Sequence, residues 1–379
     1  MNIPHIKTAN TINHTNSTIS KTAISLFSGM GGDSLGIQQA GYKLVAYSEK
    51  EKIFRASHDA NFPTCTQLGK DCNSNISKIK DEEFLQYKDV IDLLFAGFPC
   101  QGFSQAGKKL PNDPRNTLFR EFLRATKCIR PNYIIGENVK GLLKRKTHEG
   151  ELFIDVIQKS FEELGYTITY KVMKANLYGI PQNRHRLIIV GIRNDIADIH
   201  GPYVFPPEQS SNHLHIKDIV KFSMKGAVKI EPEDLHFDIQ TIPEECILTD
   251  MDNDDQPPSE EVHPYVFVLA KNRGWEYKGK VYNHRLDFGK RIPVGGEIID
   301  IRKPLNTIIC TYARQPRFFV PLKNKNGYYI RCLLPDELKQ IQGFPSDYVV
   351  TGTTAKQIVQ IGNAVPPPLI KQVIERFPV

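Results

Sequence analysis

KTAISLFSGMGGDSLGIQQAGYKLVAYSEK, residues 21–50, reads as a strand, a glycine turn, a helix and a second strand. AISLF is a short β-rich apolar run, DSLGIQQAG is amphipathic and closes at Gly41, and KLVAYSE is apolar and β-rich again. Gly29, Gly31 and Gly32 crowd the turn between strand and helix, where backbone without side chains can approach a ligand closely. Glu49, twenty residues after Gly29 and at the end of the second strand, is placed to take hydrogen bonds from a ribose. A dinucleotide fingerprint wants glycine where Ser34 stands, so an adenosyl ligand without pyrophosphate is favoured over NAD. Taken alone, the segment also fits an ordinary tight turn.

The same alternation runs on to about Asn194 through VIDLLFAGF, TLFREFLRATKCI, YIIGENV, ELFIDVIQKSFEELG, TITYKVMKA and RLIIVGIR. Strand and helix in turn imply an α/β fold, a parallel sheet covered by helices on both faces, with ligands at the carboxyl ends of its strands. Residues 1–21 are rich in Asn, Thr, Ser and His, carry no acid, and read as a mobile arm ahead of a first domain at 22–195. From 196 to 325 the sequence is polar, Pro-containing and less periodic, a smaller mixed domain. LPDELKQIQG and TAKQIVQIG then restore helical pattern, so 326–379 should pack back on the first domain.

A chain of 379 residues with 40% apolar and 9% aromatic content can bury a core, which excludes disorder and fibre and favours two domains. No apolar stretch is long enough to span a bilayer and the first 22 residues hold no apolar signal core, so a soluble intracellular protein is expected. Cysteines at 65, 72, 100, 128, 246, 310 and 332 are scattered, with no Cys-x-x-Cys pair, and read as reduced thiols that bind no metal. The net charge of +7 makes a polyanion a plausible partner, and its distribution says more. Residues 231–261 carry 12 acids and no Lys or Arg, which reads as a solvated face. Residues 271–291 carry seven bases beside Trp275, Tyr277 and Tyr282, which suits a nucleic-acid contact.

Four further segments carry chemistry. In GFPCQGFS (97–104), Cys100 follows directly on a buried-looking strand at an exit turned by Pro99, where its thiol faces the cleft. Such a thiol attacks only as thiolate and needs a cationic neighbour, whereas most cysteines are packed small hydrophobes. GENVK (136–140) ends the strand YIIGEN and puts the Glu137 carboxylate on the same rim, though it also suits a helix entry with Asn138 as cap. QNRHR (182–186) sets Arg184 and Arg186 on one face of an extended segment, able to hold phosphate or carboxylate bidentately, or simply to guard an edge. In QIGNAVPPPL (360–369), Gly362 and Asn363 end a helix and capping accounts for the glycine, but not for the string GNAV.

In this order and spacing the five segments resemble the DNA (cytosine-5)-methyltransferases, the likeness covering 22–195 and 300–376 and extending to RKPLNTI (302–308) and LPDELKQIQGFP (334–345). The resemblance implies a Rossmann-like methyltransferase domain with a smaller target-recognition domain. It implies S-adenosylmethionine as cofactor, held by Phe27 against the adenine, Ser28, Gly29, Met30, Gly31 and Gly32 of the turn, and Glu49 on the ribose. Asp71 and Cys72 of KDCNSNI, then Pro99, then Asn363, Ala364 and Val365 near the methionine end, complete that site. It makes Cys100 the nucleophile, with Glu137, Arg184 and Arg186 as catalytic partners, and Phe98 stands where the family commonly has a second proline. DNA contacts are expected at Gln101 and Ser104, and at Lys271, Arg273, Arg285, Lys290 and Arg291 of the recognition region. The compact unit is similar to bacterial restriction-modification enzymes, implying a cytoplasmic monomer on double-stranded DNA, paired with a restriction endonuclease. Two alternatives stand beside this one: a transfer RNA substrate, as in one branch of the family, and a catalytically dead binding module on the same fold.

Overall fold

The computed structural model describes residues 21–99, 118–147, 149–209, 215–231, 238–255, 262–263, 275–277, 280–282, 285–290 and 295–378. Its centre is a seven-stranded sheet of order β3-β2-β1-β4-β5-β8-β6. The strands are β1 (Thr22–Leu26), β2 (Lys43–Ser48), β3 (Thr66–Gln67), β4 (Leu93–Ala96), β5 (Tyr133–Val139), β6 (Tyr166–Lys174) and β8 (His185–Arg193), with the short β7 (Gln182–Asn183) ahead of the last. β1 pairs in parallel with both β2 and β4, and β4 with β5. The chain leaves β3 at one edge and re-enters as β4 beside β1, so the topological reversal falls between β1 and β4, where such sheets open a crevice for ligands.

Five of the apolar runs become parallel strands because a helix carries each crossover. α1 (Gly32–Gln39), α2 (Lys52–Asn61), α3 (Asp81–Leu85), α4 (Leu118–Ile129) and α5 (Phe153–Glu162) fill those connections. The expectation of an all-parallel sheet fails at β8, which runs antiparallel to both β5 and β6. The reason is the connection: about ten residues separate β6 from β8, and a parallel return needs a dozen or more. Phe84, Phe122 and Phe161 of α3, α4 and α5 bury one face of the sheet. On the other face one continuous core takes in Ile37 of α1, Ala197 of α6 (Asn194–His200), Ile370 of the C-terminal helix and the second sheet.

After α7 (Ile216–Ile219) the second sheet has the order β13-β14-β16-β17-β9, with β10 paired to β16. Its strands are β9 (Val228–Ile230), β10 (Leu248–Thr249), β13 (Arg285–Phe288), β14 (Gly295–Ile298), β16 (Phe318–Asn324) and β17 (Gly327–Cys332); β11 (Trp275–Tyr277) and β12 (Lys280–Tyr282) form a separate hairpin. A domain boundary at 325 would cut the β16–β17 hairpin, whose last pair is Asn324 with Gly327, so this sheet extends to Cys332. Conversely β15 (Leu305–Asn306) leaves it to pair with β7. The chain ends in α8 (Pro335–Ile341), α9 (Thr354–Asn363) and α10 (Pro367–Ile374). Among the described residues no helix is long and apolar enough to cross a membrane, and no group of His, Cys, Asp and Glu could hold a metal ion. All six described cysteines are free. Within the acidic stretch, Glu245 pairs with Arg302 at 2.9 Å and Asp254 with Lys325 at 2.8 Å, both at the surface.

Candidate active site

The glycine turn leaves β1 with Phe27 at φ 57°, a conformation that an L-residue holds only under external constraint. The constraint is visible on both sides. Ser28 N–H donates to Ser48 O at 3.0 Å, and Gly97 N–H donates to Leu26 O at 3.2 Å, tying the ends of β2 and β4 to the end of β1. Below the turn, the Asp33 carboxyl is buried, takes a very short hydrogen bond from Ser25 Oγ and a second from Ser34 Oγ at 3.3 Å. Burial raises its pKa to about 7. Ser34 Oγ also meets His58 Nε2 at 3.1 Å; that ring stacks on Tyr47 at 3.7 Å, and burial lowers its pKa to about 3.

The three glycines have different surroundings. A Cβ on Gly32 would lie 2.2 Å from Val365 O, and one on Gly31 would lie 2.5 Å from Phe62 and 2.8 Å from the Tyr348 hydroxyl. The C-terminal segment therefore occupies the direction at Gly32, and it shares the one at Gly31 with the end of α2. At Gly29 (φ +56°) the nearest atom to a Cβ is 4.0 Å away, so this glycine alone faces open space. Gly29 N–H donates to Glu49 Oε2 at 2.9 Å and Glu51 N–H to Glu49 Oε1 at 2.7 Å. Burial raises the Glu49 pKa, the two backbone donors acting against it. Arg55 Nη1, which the motifs do not flag, donates to Glu49 O at 2.8 Å, Lys50 O at 2.6 Å and Asn73 O at 3.0 Å. It ties the Glu49 corner to the turn of Lys70–Cys72, where Asp71 is exposed without a hydrogen-bond partner among the described residues and Cys72 Sγ points back to Gly69 O at 3.4 Å.

At the next strand ends, Asn138 Nδ2 donates to Phe98 O at 3.0 Å, so Asn138 caps no helix but clamps the strand exit that leads through Pro99. Glu137 turns to the other face and takes the Arg186 Nε–H at 2.6 Å; both side chains are more than four-fifths buried. Arg184 does not join them. Its guanidinium is fully buried and donates to Ile308 O at 2.8 Å, Gly362 O at 3.1 Å and Ala364 O at 2.8 Å. Strand pairing breaks between β7 and β8 at this residue, so the two arginines do not continue one ladder. Gln182 and Gln342, also unmarked by any motif, extend the clamp: Gln182 Oε1 accepts from Ile308 N–H at 3.1 Å and Gln342 Nε2 donates to Ala364 O at 2.6 Å. Gly362 lies inside α9 rather than capping it, and its missing side chain admits the backbone of Ile309 and Cys310, 2.6 Å from where a Cβ would stand. Asn363 is exposed at the end of α9, with Ala364 and Val365 buried behind it.

Cys100, Gln101, Ser104, Lys271, Arg273 and Arg291 lie outside the described residues, as does the 1–20 part of the arm; Arg285 is described through its backbone alone, and Lys290 is exposed. The described part is a crevice at the carboxyl ends of β1, β2, β4 and β5. A half-exposed aromatic ring at Phe27, a desolvated carboxylate at Glu49 and an unpartnered Asp71 border it, and these fit the ring, ribose and amino group of an adenosyl ligand. A seven-stranded sheet with an antiparallel strand next to its edge, this crevice and a buried Glu–Arg pair define an S-adenosylmethionine-dependent methyltransferase.

The family model of the C-5 cytosine-specific DNA methylases matches residues 21–378. The chain belongs to that family and is a DNA (cytosine-5)-methyltransferase. It is 33% identical over 349 residues to the Type II methyltransferase M.Eco47II of Escherichia coli, covering 91% of this chain and 76% of that one. It is 32% identical over 360 residues to the Type II methyltransferase M.PspPI of Psychrobacter, covering 92% and 76%. Among solved structures, DNMT2 of Spodoptera frugiperda shares the fold at a TM-score of 0.61 and 16% identity, over 94% of this chain and 99% of that one. The Entamoeba histolytica methyltransferase EhMeth does so at 0.60 and 16%, over 94% and 97%.

Proposed function

We propose that the methyl transfer proceeds through Cys100, with Glu137 and Arg186 holding the target base. Carbon 5 of cytosine is too weak a nucleophile unaided. Attack of the Cys100 thiolate on carbon 6 forms an S–C bond and moves the ring electrons towards carbon 5, while Glu137, protonated on the oxygen that Arg186 does not hold, supplies a hydrogen bond or that proton at ring nitrogen 3. Bound S-adenosylmethionine supplies an electrophilic methyl group. A water molecule acting as base then takes the proton from carbon 5, the C–H electron pair re-forms the 5,6 double bond, and the S–C pair leaves on sulfur, which frees Cys100 as thiolate. The target is stacked inside duplex DNA, so it swings out into the crevice, at a cost of a few kcal/mol.

The observation that carries this reading is the Glu137–Arg186 pair at 2.6 Å beside an exit loop pinned by Asn138. Arg186 fixes the carboxylate by a charge-assisted bond, so that Glu137 meets an incoming ring without reorganising. Phe27, Ser28, Gly29 and Met30 line the adenosyl side with Glu49 and Asp71, and Asn363 lies towards the methyl donor. Arg184, Gly31, Gly32, Ala364 and Val365 act one step back, building the wall. The sheet from Val228 to Cys332, with the basic segment 271–291, reads the DNA sequence, and a restriction endonuclease of matching specificity is the partner, by likeness to the Type II relatives. The test is incubation with a duplex carrying 5-fluorocytosine in the methylated site, located first by bisulfite sequencing. A stable adduct that maps to Cys100 and vanishes in Cys100→Ser is expected; turnover by Cys100→Ala would overturn the mechanism.

A further inference from the structure

β8 divides its first residues between two faces. Arg186 turns to Glu137, so His185 turns to the opposite side of the sheet. There it stands opposite Lys174 in the β6–β8 ladder, and Lys140, the first residue after β5, brings its Nζ to 3.3 Å from His185 Nδ1. That geometry has the ammonium donating to a neutral imidazole, the remaining ring proton being on Nε2. Lys140 and Lys174 are exposed and have no carboxylate partner among the described residues, and the exposed Lys144 and Lys146 follow in KGLLKRK. The charged groups facing His185 are Lys140 from the turn, Lys174 from β6 and Arg186 from its own strand; after burial, all three lower its pKa. Like charges gathered at a strand end cost stability unless an anion completes them.

We propose that Lys140, Lys174 and His185 hold a backbone phosphate of the DNA strand that delivers the flipped base, and that His185 takes up a proton as the phosphate arrives. The inference rests on the reading of Glu137 as the base-holding group, because Lys140 lies three residues beyond Glu137 and His185 one residue before its partner Arg186. Duplex DNA carries about one charge per 1.7 Å of axis, so a duplex over this mouth necessarily presents phosphate to the rim. An entering phosphate adds an attractive neighbour beside the three repulsive ones, which opposes the direction in which they push His185. The lysines contribute point charges that carry no base information, and therefore positioning rather than specificity.

The experiment is fluorescence anisotropy with a labelled duplex of arbitrary sequence and added S-adenosylhomocysteine, across a potassium chloride series at pH 6 and pH 8. Lys140→Gln and Lys174→Gln should each reduce the slope of log affinity against log salt, and the double variant should reduce it by about 0.9, the amount expected for one phosphate contact. Wild type should bind more tightly at pH 6 than at pH 8, and His185→Asn should lose that difference while keeping the wild-type slope at pH 8. Variants that match wild type in both slope and pH dependence would overturn the phosphate site. Methyl transfer to genomic DNA separates the two readings: if wild type methylates DNA while the slopes stay unchanged, only this inference fails. If wild type neither binds nor methylates DNA, the assignment of Glu137 fails and takes this one with it.

Discussion

Two arginines two positions apart illustrate how little a side chain's type says about its task. Arg186 meets a carboxylate at the crevice, and Arg184 meets three carbonyls behind it. Glu137→Gln should keep the fold and cofactor binding but lower kcat by about 10²–10⁴-fold, the usual weight of a positioned acid–base group, as read by labelled methyl transfer and cofactor titration. Arg184→Ala should instead act on stability, costing about 3–5 kcal/mol because buried carbonyls lose a charged donor, and a thermal melt would show it before any kinetic assay. Asp33 gives the pH dependence. Its folded pKa of about 7 lies above the ordinary 3.8, so the folded state binds the extra proton between those values. The stabilisation is complete below the lower value, declines as pH rises, and is lost above about 7. Asp33→Asn, which keeps an acceptor without the charge, should flatten the fall in melting temperature between pH 5 and pH 8.

At the scale of elements, α1 and the C-terminal segment meet through glycines. Gly36 repeats the pattern of Gly32, with Pro367 O 2.6 Å from the position of a Cβ. The Gly32→Ala Cβ would collide with backbone, which cannot swing aside as a side chain can, so the segment carrying Ala364 and Val365 must move. A loss of about 1–3 kcal/mol is expected from such overpacking, with a raised KM for S-adenosylmethionine and a kcat close to wild type. Differential scanning fluorimetry and initial rates against cofactor concentration check both halves. The Tyr348 hydroxyl, bonded to Met30 O, couples the C-terminal part to the glycine turn, and Ser57 Oγ, bonded to Gln360 Oε1 at 2.6 Å, couples it to α2.

Across the whole molecule, a buried ion pair reinforces the core that the second sheet shares with the C-terminal helices. Arg331, fully buried in β17, uses all of its donors: on Glu337 at 2.7 and 2.8 Å, on Lys221 O at 2.7 Å, on Cys332 O at 2.9 Å and on Ser223 O at 3.1 Å. Glu337 also accepts Leu334 N–H at 2.8 Å at the start of α8. One pair thus joins the second sheet, the segment after α7 and the helix that returns the chain to the first lobe. Removing a single partner strands a buried charge, so Glu337→Ala should destabilise by about 3–5 kcal/mol. Hydrogen exchange should show the loosening first in β17 and α8, ahead of β1 and β4.

The order of motifs, the glycine turn, the strand ends that carry chemistry and the family itself were legible in the amino-acid sequence. Each depends on residues close together along the chain, where spacing and local conformation suffice. The tertiary structure alone decided which arginine meets the Glu137 carboxylate, which glycine is left without a close neighbour, where the second sheet ends and that β8 runs antiparallel. Those outcomes depend on partners far along the chain, such as Ile308 and Ala364 for Arg184 or Val365 for Gly32, and a linear pattern carries no record of which distant backbone a buried donor or an absent side chain will meet.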